Sequence, residues 1–512
     1  MALSRRELIQ RSALLSAGSL LASSHLSAST ALKYSEYLSY DGLGLAGLVR
    51  SKQASPLELL EIAIARTEAV NPEINAVVLK HYDLAREVAR QSAPNGVFGG
   101  VPFLLKDLGI AMANTVTTEG SVFFKDQRFT YDSTLVERYR RAGLVIFGKT
   151  HSPEFGSTPS SESRLFGATH NPWNLEHSAG GSSGGAAAAV AAGIIPAAHA
   201  SDGGGSIRIP AAACGVFGLK PTRGRVPMGP NAYETRDGLS AMHVVSRTVR
   251  DSAALLDISQ GAELGDAYAT PVRERPYLDE IQRAPGKLRI ALIRHPMLDI
   301  PVADDCIKAV DHVAQLCASL GHHVEEAQPQ INAMALWQAL GTLSNTLVAS
   351  KVTAREKALG RKLKDHELEP ISLNSFRDGL KIDAVAHHEA RHAAHQASRT
   401  LGAFMQQYDL ILSPTMAMPP AKLGALSMEQ SYESFIGPAA AASAYTGIYN
   451  MTGQPAMSVP LYWNAQNLPI GVMFAGRFGD EATLYRLAAQ LEQAQPWLPR
   501  LQKLAMSLHS SV

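Results

Sequence analysis

Two glycine loops in the middle of the chain each carry serine. The first is Gly180-Gly181-Ser182-Ser183-Gly184-Gly185, and the second is Ser201-Asp202-Gly203-Gly204-Gly205-Ser206-Ile207-Arg208. Upstream, Lys106 ends the apolar run Val101 to Leu105. Glycine lets backbone N–H groups come close to a substrate oxygen. A serine hydroxyl is a weak nucleophile until a base takes its proton. A lysine held neutral by its surroundings is such a base. One lysine and two serines in permissive loops are therefore the parts for amide hydrolysis without histidine. Asp202 and Arg208 flank the second loop and read as charges that brace it.

These residues resemble the amidase signature family. The likeness runs from about Ser55 to Trp497 and is densest from Gly148 to Pro221. That block holds Gly148-Lys149-Thr150, Asn171-Pro172-Trp173-Asn174, both loops and Gly218-Leu219-Lys220-Pro221-Thr222. Carried over by position, the resemblance implies Lys106 as base and Ser182 as a bridging serine after a cis peptide bond. It implies Ser206 as the nucleophile that forms an acyl-enzyme. The backbone N–H groups of Gly203, Gly204, Gly205 and Ser206 are expected to hold the oxyanion. Ser183 is expected to hydrogen-bond within its loop. The motifs Asp202-Gly203-Gly204-Gly205-Ser206 and Thr452-Gly453-Gln454-Pro455 look like the branch holding aminohexanoate cyclic-dimer hydrolases and related bacterial amidases. His151 departs from the family pattern, where asparagine is usual after Gly-Lys-Thr.

Blander readings compete. A Gly/Ser loop is by default a turn or linker. A lone lysine after an apolar strand by default snorkels at the surface. The agreement of three separated elements inside a longer match outweighs both. Gly180 to Gly184 also fits G-x-S-x-G, but that elbow must follow a buried strand. Asn174 to Ser178 is polar and reads as loop. His388-Glu389-Ala390-Arg391-His392 fits H-E-x-x-H on a predicted helix, which puts both imidazoles on one face. A zinc metallohydrolase is thus an alternative, although no third ligand follows His392 at useful spacing. A non-catalytic or transamidation amidase-like subunit is a further alternative. Neither a cofactor nor a metal is called for by the favoured reading.

The elements that must position these residues alternate between helix and strand. Ser55-Pro56-Leu57-Glu58 is a capping box with proline at the first helical position, opening a helix to about Val70. Leu59, Leu60, Ala63 and Ile64 form its buried stripe. Thr134 to Ala142 reads as helix and Leu144 to Phe147 as buried strand. Gly184 to Ala192 is an alanine-rich helix behind the first loop. Ile194 to Ala200 is a short strand that delivers the second. Later strands are expected at Leu288 to Ile293, Leu410 to Leu412, Met457 to Leu461 and Ile470 to Ala475, with a final helix at Glu481 to Gln493. This order predicts an α/β fold, with a mixed, mostly buried sheet covered by helices on both faces. The resemblance implies one large α/β/α domain over residues 32–505. Within it, residues 331–400 form a substrate-pocket insert and Ala439 to Tyr449 line the far wall.

The chain has 512 residues, is 46% hydrophobic and carries a net charge of +1. That composition suits a globular enzyme with a large core, and it excludes a nucleic-acid binder. The expected partner is a small-molecule amide, and assembly as a homodimer stays open. Residues 1–31 read as a twin-arginine export signal. Ser4-Arg5-Arg6-Glu7-Leu8-Ile9 is followed by the apolar stretch Ala13 to Ala22 and small residues from Ser27 to Ala31. The apolar stretch is too short to span a bilayer, so no stable membrane association is expected after processing. A periplasmic or exported location follows. Cys214, Cys306 and Cys317 are expected as free thiols, because folding precedes this kind of export.

Overall fold

The computed structural model describes residues 32–91 and 96–508. The proposed export segment therefore lies outside the described residues. The strands are β1 (Val77–Lys80), β2 (Pro102–Lys106), β3 (Val145–Thr150), β4 (Glu162–Ser163), β5 (Gly167–Ala168), β6 (His170–Asn171) and β7 (Asn174–Ser178). They continue with β8 (Ala197–Asp202), β9 (Phe217–Lys220), β10 (Ala241–Ser246), β11 (Arg289–Leu292), β12 (His323–Glu326), β13 (Leu410–Pro414), β14 (Ala456–Val459) and β15 (Val472–Gly476). Eight of them form one mixed sheet in the order β12-β11-β13-β15-β14-β9-β10-β8. The β11 pairings with β12 and β13 are parallel, and the remaining pairings in this sheet are antiparallel. A three-stranded sheet, β1-β3-β2, stands beside it, with β2 packed along β8.

Helices cover both faces of the large sheet. Those that bear on the site are α1 (Pro56–Ile74), α2 (Thr134–Arg141), α3 (Gly184–Ala191), α4 (Arg208–Cys214), α5 (Asp304–Ser319), α6 (Ala333–Leu359), α7 (Pro370–Gly379), α8 (Ala384–Phe404), α9 (Tyr432–Ser443) and α10 (Glu481–Ala494). Adjacent residues of a strand face opposite sides. On β9, Phe217 meets the ring of Tyr485 from α10 at 6.4 Å. Its neighbour Gly218 faces α4, where an added Cβ would sit 2.7 Å from that of Ala211. One strand thus holds a helix on each face. The α/β fold with a mixed, covered sheet matches the sequence expectation.

Local chemistry explains the boundaries. At the start of α1, Ser55 Oγ accepts the Glu58 N–H at 3.1 Å and Glu58 Oε2 accepts the Ser55 N–H at 3.4 Å. Such a cap is worth about 1 kcal/mol. The helix runs past the expected Val70 to Ile74 and ends at Asn75 in the left-handed region. Its stripe of Leu59, Leu60, Ala63 and Ile64 is buried. The strand before the second loop starts later and runs further than expected. It takes in Ser201 and Asp202, so the free loop begins at Gly203.

The loop expected before the first serine motif is overturned. Asn174 to Ser178 is not loop: it is strand β7, paired antiparallel with β6 in a two-stranded ribbon. Leu175 and Glu176 on it are exposed. A ribbon with little buried surface shows no apolar alternation, which is why pattern reading passed over it. It is also not the buried strand a nucleophile elbow requires.

Candidate active site

Strand β2 is buried along its whole length and carries Lys106 at its end. Lys106 Nζ donates to Ser182 Oγ at 2.7 Å and to Ser201 Oγ at 3.1 Å. The lysine is fully buried, so it does not snorkel. Burial disfavours the ammonium and lowers its pKa from 10.5 to about 7. The carboxylates of Asp202 and Glu119 pull the other way, while Arg236 and Lys351 lower it further. Asp107, adjacent in sequence, is held elsewhere. Its carboxylate accepts the Thr118 N–H at 2.9 Å as well as the Thr118 hydroxyl.

The first loop approaches Lys106 through a cis Gly181–Ser182 peptide. Gly181 has no room for a side chain, since a Cβ there would lie 2.3 Å from Ser160 O. Ser183, expected to hydrogen-bond within its own loop, instead ties the two loops together because it stands directly against the end of β8. Its hydroxyl donates to Ser201 O at 3.2 Å and accepts the Ser201 N–H at 3.3 Å. Its own N–H donates to Ser206 O at 3.3 Å.

The second loop is built on a buried ion pair. Arg208 Nε donates to Asp202 Oδ2 at 2.9 Å and Arg208 Nη2 to Oδ1 at 3.0 Å, with both side chains fully buried. Asp202 also accepts the Gly205 N–H at 2.7 Å and the Ile207 N–H at 3.1 Å. Asn450 Nδ2 completes the set at 2.9 Å from Oδ1. Burial alone would raise the Asp202 pKa, but Arg208 overrides it and holds the carboxyl well below its usual range. The bracing expected of Asp202 and Arg208 is thus a five-donor clamp on one carboxylate.

Gly205 departs from the expected oxyanion set. Its N–H is committed to Asp202, so it is turned into the loop. Its φ is +139°, and a Cβ there would lie 2.4 Å from Thr446 Oγ1. Gly205 is therefore needed for close packing. The N–H groups of Gly203, Gly204 and Ser206 have no acceptor among the described residues. Gly204 faces open space, and its carbonyl is held by Thr446 Oγ1 at 2.6 Å. Ser206 is partly exposed, and no hydrogen bond joins its hydroxyl to Ser182 among the described residues.

Ser206 opens onto a cavity of about 400 Å³. Trp337 and Asn345 of α6 and Asn374 of α7 line one side, within the stretch read as an insert. Phe435 and Ala439 of α9 line another. The histidines of the competing motif lie elsewhere. His388, Glu389 and His392 sit exposed on α8, and His392 Nε2 hydrogen-bonds Gln396 of its own helix. Among the described residues no group of three or more His, Cys, Asp or Glu side chains is placed to hold a metal. His151 is buried between Thr169 and Ser163, each 2.8 Å from one ring nitrogen, and so braces the wall behind the first loop. The three cysteines are buried and free.

The sequence model of the amidase family matches residues 58–485. The chain belongs to the amidase family. It is a hydrolase of amide bonds. A 6-aminohexanoate-cyclic-dimer hydrolase of Paenarthrobacter ureafaciens is 37% identical over 476 residues, which cover 90% of this chain and 96% of that one. A solved structure of 6-aminohexanoate cyclic dimer hydrolase superposes with a TM-score of 0.86 at 36% identity, covering 91% of this chain and 99% of that one. A bacterial aryl acylamidase superposes with a TM-score of 0.83 at 28% identity, covering 91% and 98%. Four residues around this amidase's candidate site had no role in the sequence reading: Ser201, Asn450, Arg236 and Thr446, the last inside the stretch expected to line the far wall. Ser201 stood inside the second loop motif, next to Asp202, and was the one with a local signal.

Proposed function

We propose that this amidase cleaves a small-molecule amide through Ser206, with Ser182 and Lys106 relaying the proton. The observation that carries the reading is the buried Lys106 Nζ, 2.7 Å from Ser182 Oγ and with a pKa lowered to about 7. Neutral Lys106 accepts a proton from Ser182, which accepts one from Ser206. Ser206 attacks the amide carbonyl, and its hydroxyl closes on Ser182 as substrate fills the cavity; catalytic hydrogen bonds are often loose in the free enzyme. The N–H groups of Gly203, Gly204 and Ser206 receive the oxyanion, each worth roughly 3–4 kcal/mol when aligned. The relay then returns the proton to the leaving nitrogen. Water cleaves the acyl-enzyme by the reverse path.

The similarity to 6-aminohexanoate-cyclic-dimer hydrolases supports a small aliphatic amide over a charged transfer RNA, as does the near-neutral composition. The order of basic, apolar and small residues before residue 32 supports export in the folded state. A fluorophosphonate probe tests the nucleophile. It is expected to label Ser206 in the purified enzyme, and Ser206→Ala is expected to lose both label and turnover. Labelling at Ser182 instead would overturn the assignment.

A further inference from the structure

Arg236 lines the same cavity as Ser206 and has no carboxylate partner among the described residues. Its guanidinium lies against the second loop, where Nη1 donates weakly to Gly203 O at 3.4 Å. Nε is buried without any hydrogen-bond partner, and Nη2 donates to nothing among the described residues. The backbone that puts it there is unusual. Arg236 and Asp237 both have φ of +50°, in the left-handed region that such residues seldom enter.

Three acids around it are already engaged. Asp202 accepts from five donors and offers Arg236 no free position. Asp237, next in the chain, turns away to α8, with His387 Nε2 at 3.2 Å and Arg391 Nε at 3.8 Å. Asp378, at the cavity wall, pairs with Lys381 at 2.9 Å. A buried guanidinium nitrogen left unpaired costs more than a typical hydrogen bond returns. Its planar fork matches a carboxylate with two parallel N–H donors. It sits beside the loop whose serine is the proposed nucleophile.

From the unpaired Arg236 fork on the Gly203 loop we infer that the preferred substrate is an amide bearing a carboxylate a short chain from the scissile bond. Arg236 is the specificity-determining residue that receives it. This rests on the Ser206 reading and narrows it to anionic amides. A neutral amide of the same shape leaves the fork unpaired and the cavity cationic at that point.

The test is a matched series. Succinamate, glutaramate and adipamate are compared with the neutral diamides of equal chain length. N-acetylglycine and N-acetyl-β-alanine are compared with their amides in the same way. Cleavage is followed by release of ammonia or free amine. In at least one series the anionic member is expected to exceed the neutral one by about ten- to a hundredfold in kcat/KM, as for a charge-assisted pair. Arg236→Met is expected to bring that ratio close to one, and Arg236→Lys to restore part of it. The ratio is read within each variant, so partial loss of folded enzyme does not move it. Fluorophosphonate labelling of Ser206 is measured on the same samples. Labelled wild-type enzyme with no anionic preference in any series overturns this inference while leaving the nucleophile in place. A preference that survives Arg236→Met overturns it as well. Absence of labelling at Ser206 overturns the reading beneath it, and the inference falls with it.

Discussion

Lys106 Nζ and Ser182 Oγ stand 2.7 Å apart, both buried, although 76 residues separate them in the chain. A charged ammonium has poor company there. The nearest acids, Asp202 and Glu119, are already bound to Arg208 and Lys351. Burial lowers the pKa to about 7, so a neutral amine can face the hydroxyl near neutral pH, as the proposed base role requires.

Activity is expected to rise with pH through about 7, the lowered pKa of Lys106, and then to level off. Only the deprotonated amine accepts the serine proton. A pH profile of kcat/KM with a neutral amide checks this; a profile flat from pH 5 to 9 speaks against it. The flat result would leave Lys106 as a positive charge only.

Lys106→Arg is expected to lower kcat by about 10²-fold or more, the usual worth of a general base. Arginine keeps its proton at any working pH. Substantial activity in this variant, measured by ammonia release, would refute the base role.

Lys106 also couples stability to pH. Its folded pKa of about 7 lies below the ordinary 10.5. Between these values the unfolded chain binds the extra proton, so this residue's contribution to stability rises with pH across the window. Lys106→Met is expected to remove that slope. Denaturant titrations of both proteins at pH 7 and pH 10 give the difference, and parallel slopes would contradict the lowered pKa.

Asp202→Ala leaves Arg208 buried without its carboxylate, and one-sided removal from a buried pair costs roughly 3–5 kcal/mol. It also frees the Gly205 and Ile207 N–H groups, so the Ser206 loop loses its clamp. Thermal unfolding together with fluorophosphonate labelling reads both effects. Unchanged labelling would show that the loop holds its shape without Asp202.

Chelators are expected to leave turnover unchanged, and His388→Ala to move stability by no more than about 0.5 kcal/mol, as for an ordinary surface residue. Activity lost to EDTA and restored by zinc would revive the metallohydrolase reading. For export, Arg5→Lys with Arg6→Lys is expected to hold the precursor inside the cell. An enzyme with its full N-terminus in a soluble cytoplasmic pool would count against it.

What the sequence by itself determined is local. The capping box at Ser55 and Glu58 is closed by residues three apart. The alanine run of α3 and the apolar runs of β2 and β3 declare their elements because their burial is continuous. The two serine loops and Lys106 were legible because their residue types and spacing carry a chemical requirement. The tertiary structure decided the rest. In sequence Gly205 and Gly204 look alike, and only the folded positions of Asp202 and Thr446 turn the Gly205 N–H into the loop and pack its Cα tightly. Asn450 and Thr446 reach the loop from more than 200 residues away, and although Thr446 lies in the stretch expected to line the far wall, nothing in the sequence ties either residue to this loop. Arg236 looks like any surface arginine until the sheet brings its loop over Gly203. Strand β7 is polar because little covers it, so its pairing left no trace in the pattern. Hydrophobic burial writes a periodic signal into sequence, whereas a hydrogen bond between distant residues is fixed by the path of the backbone, which only the assembled sheet sets.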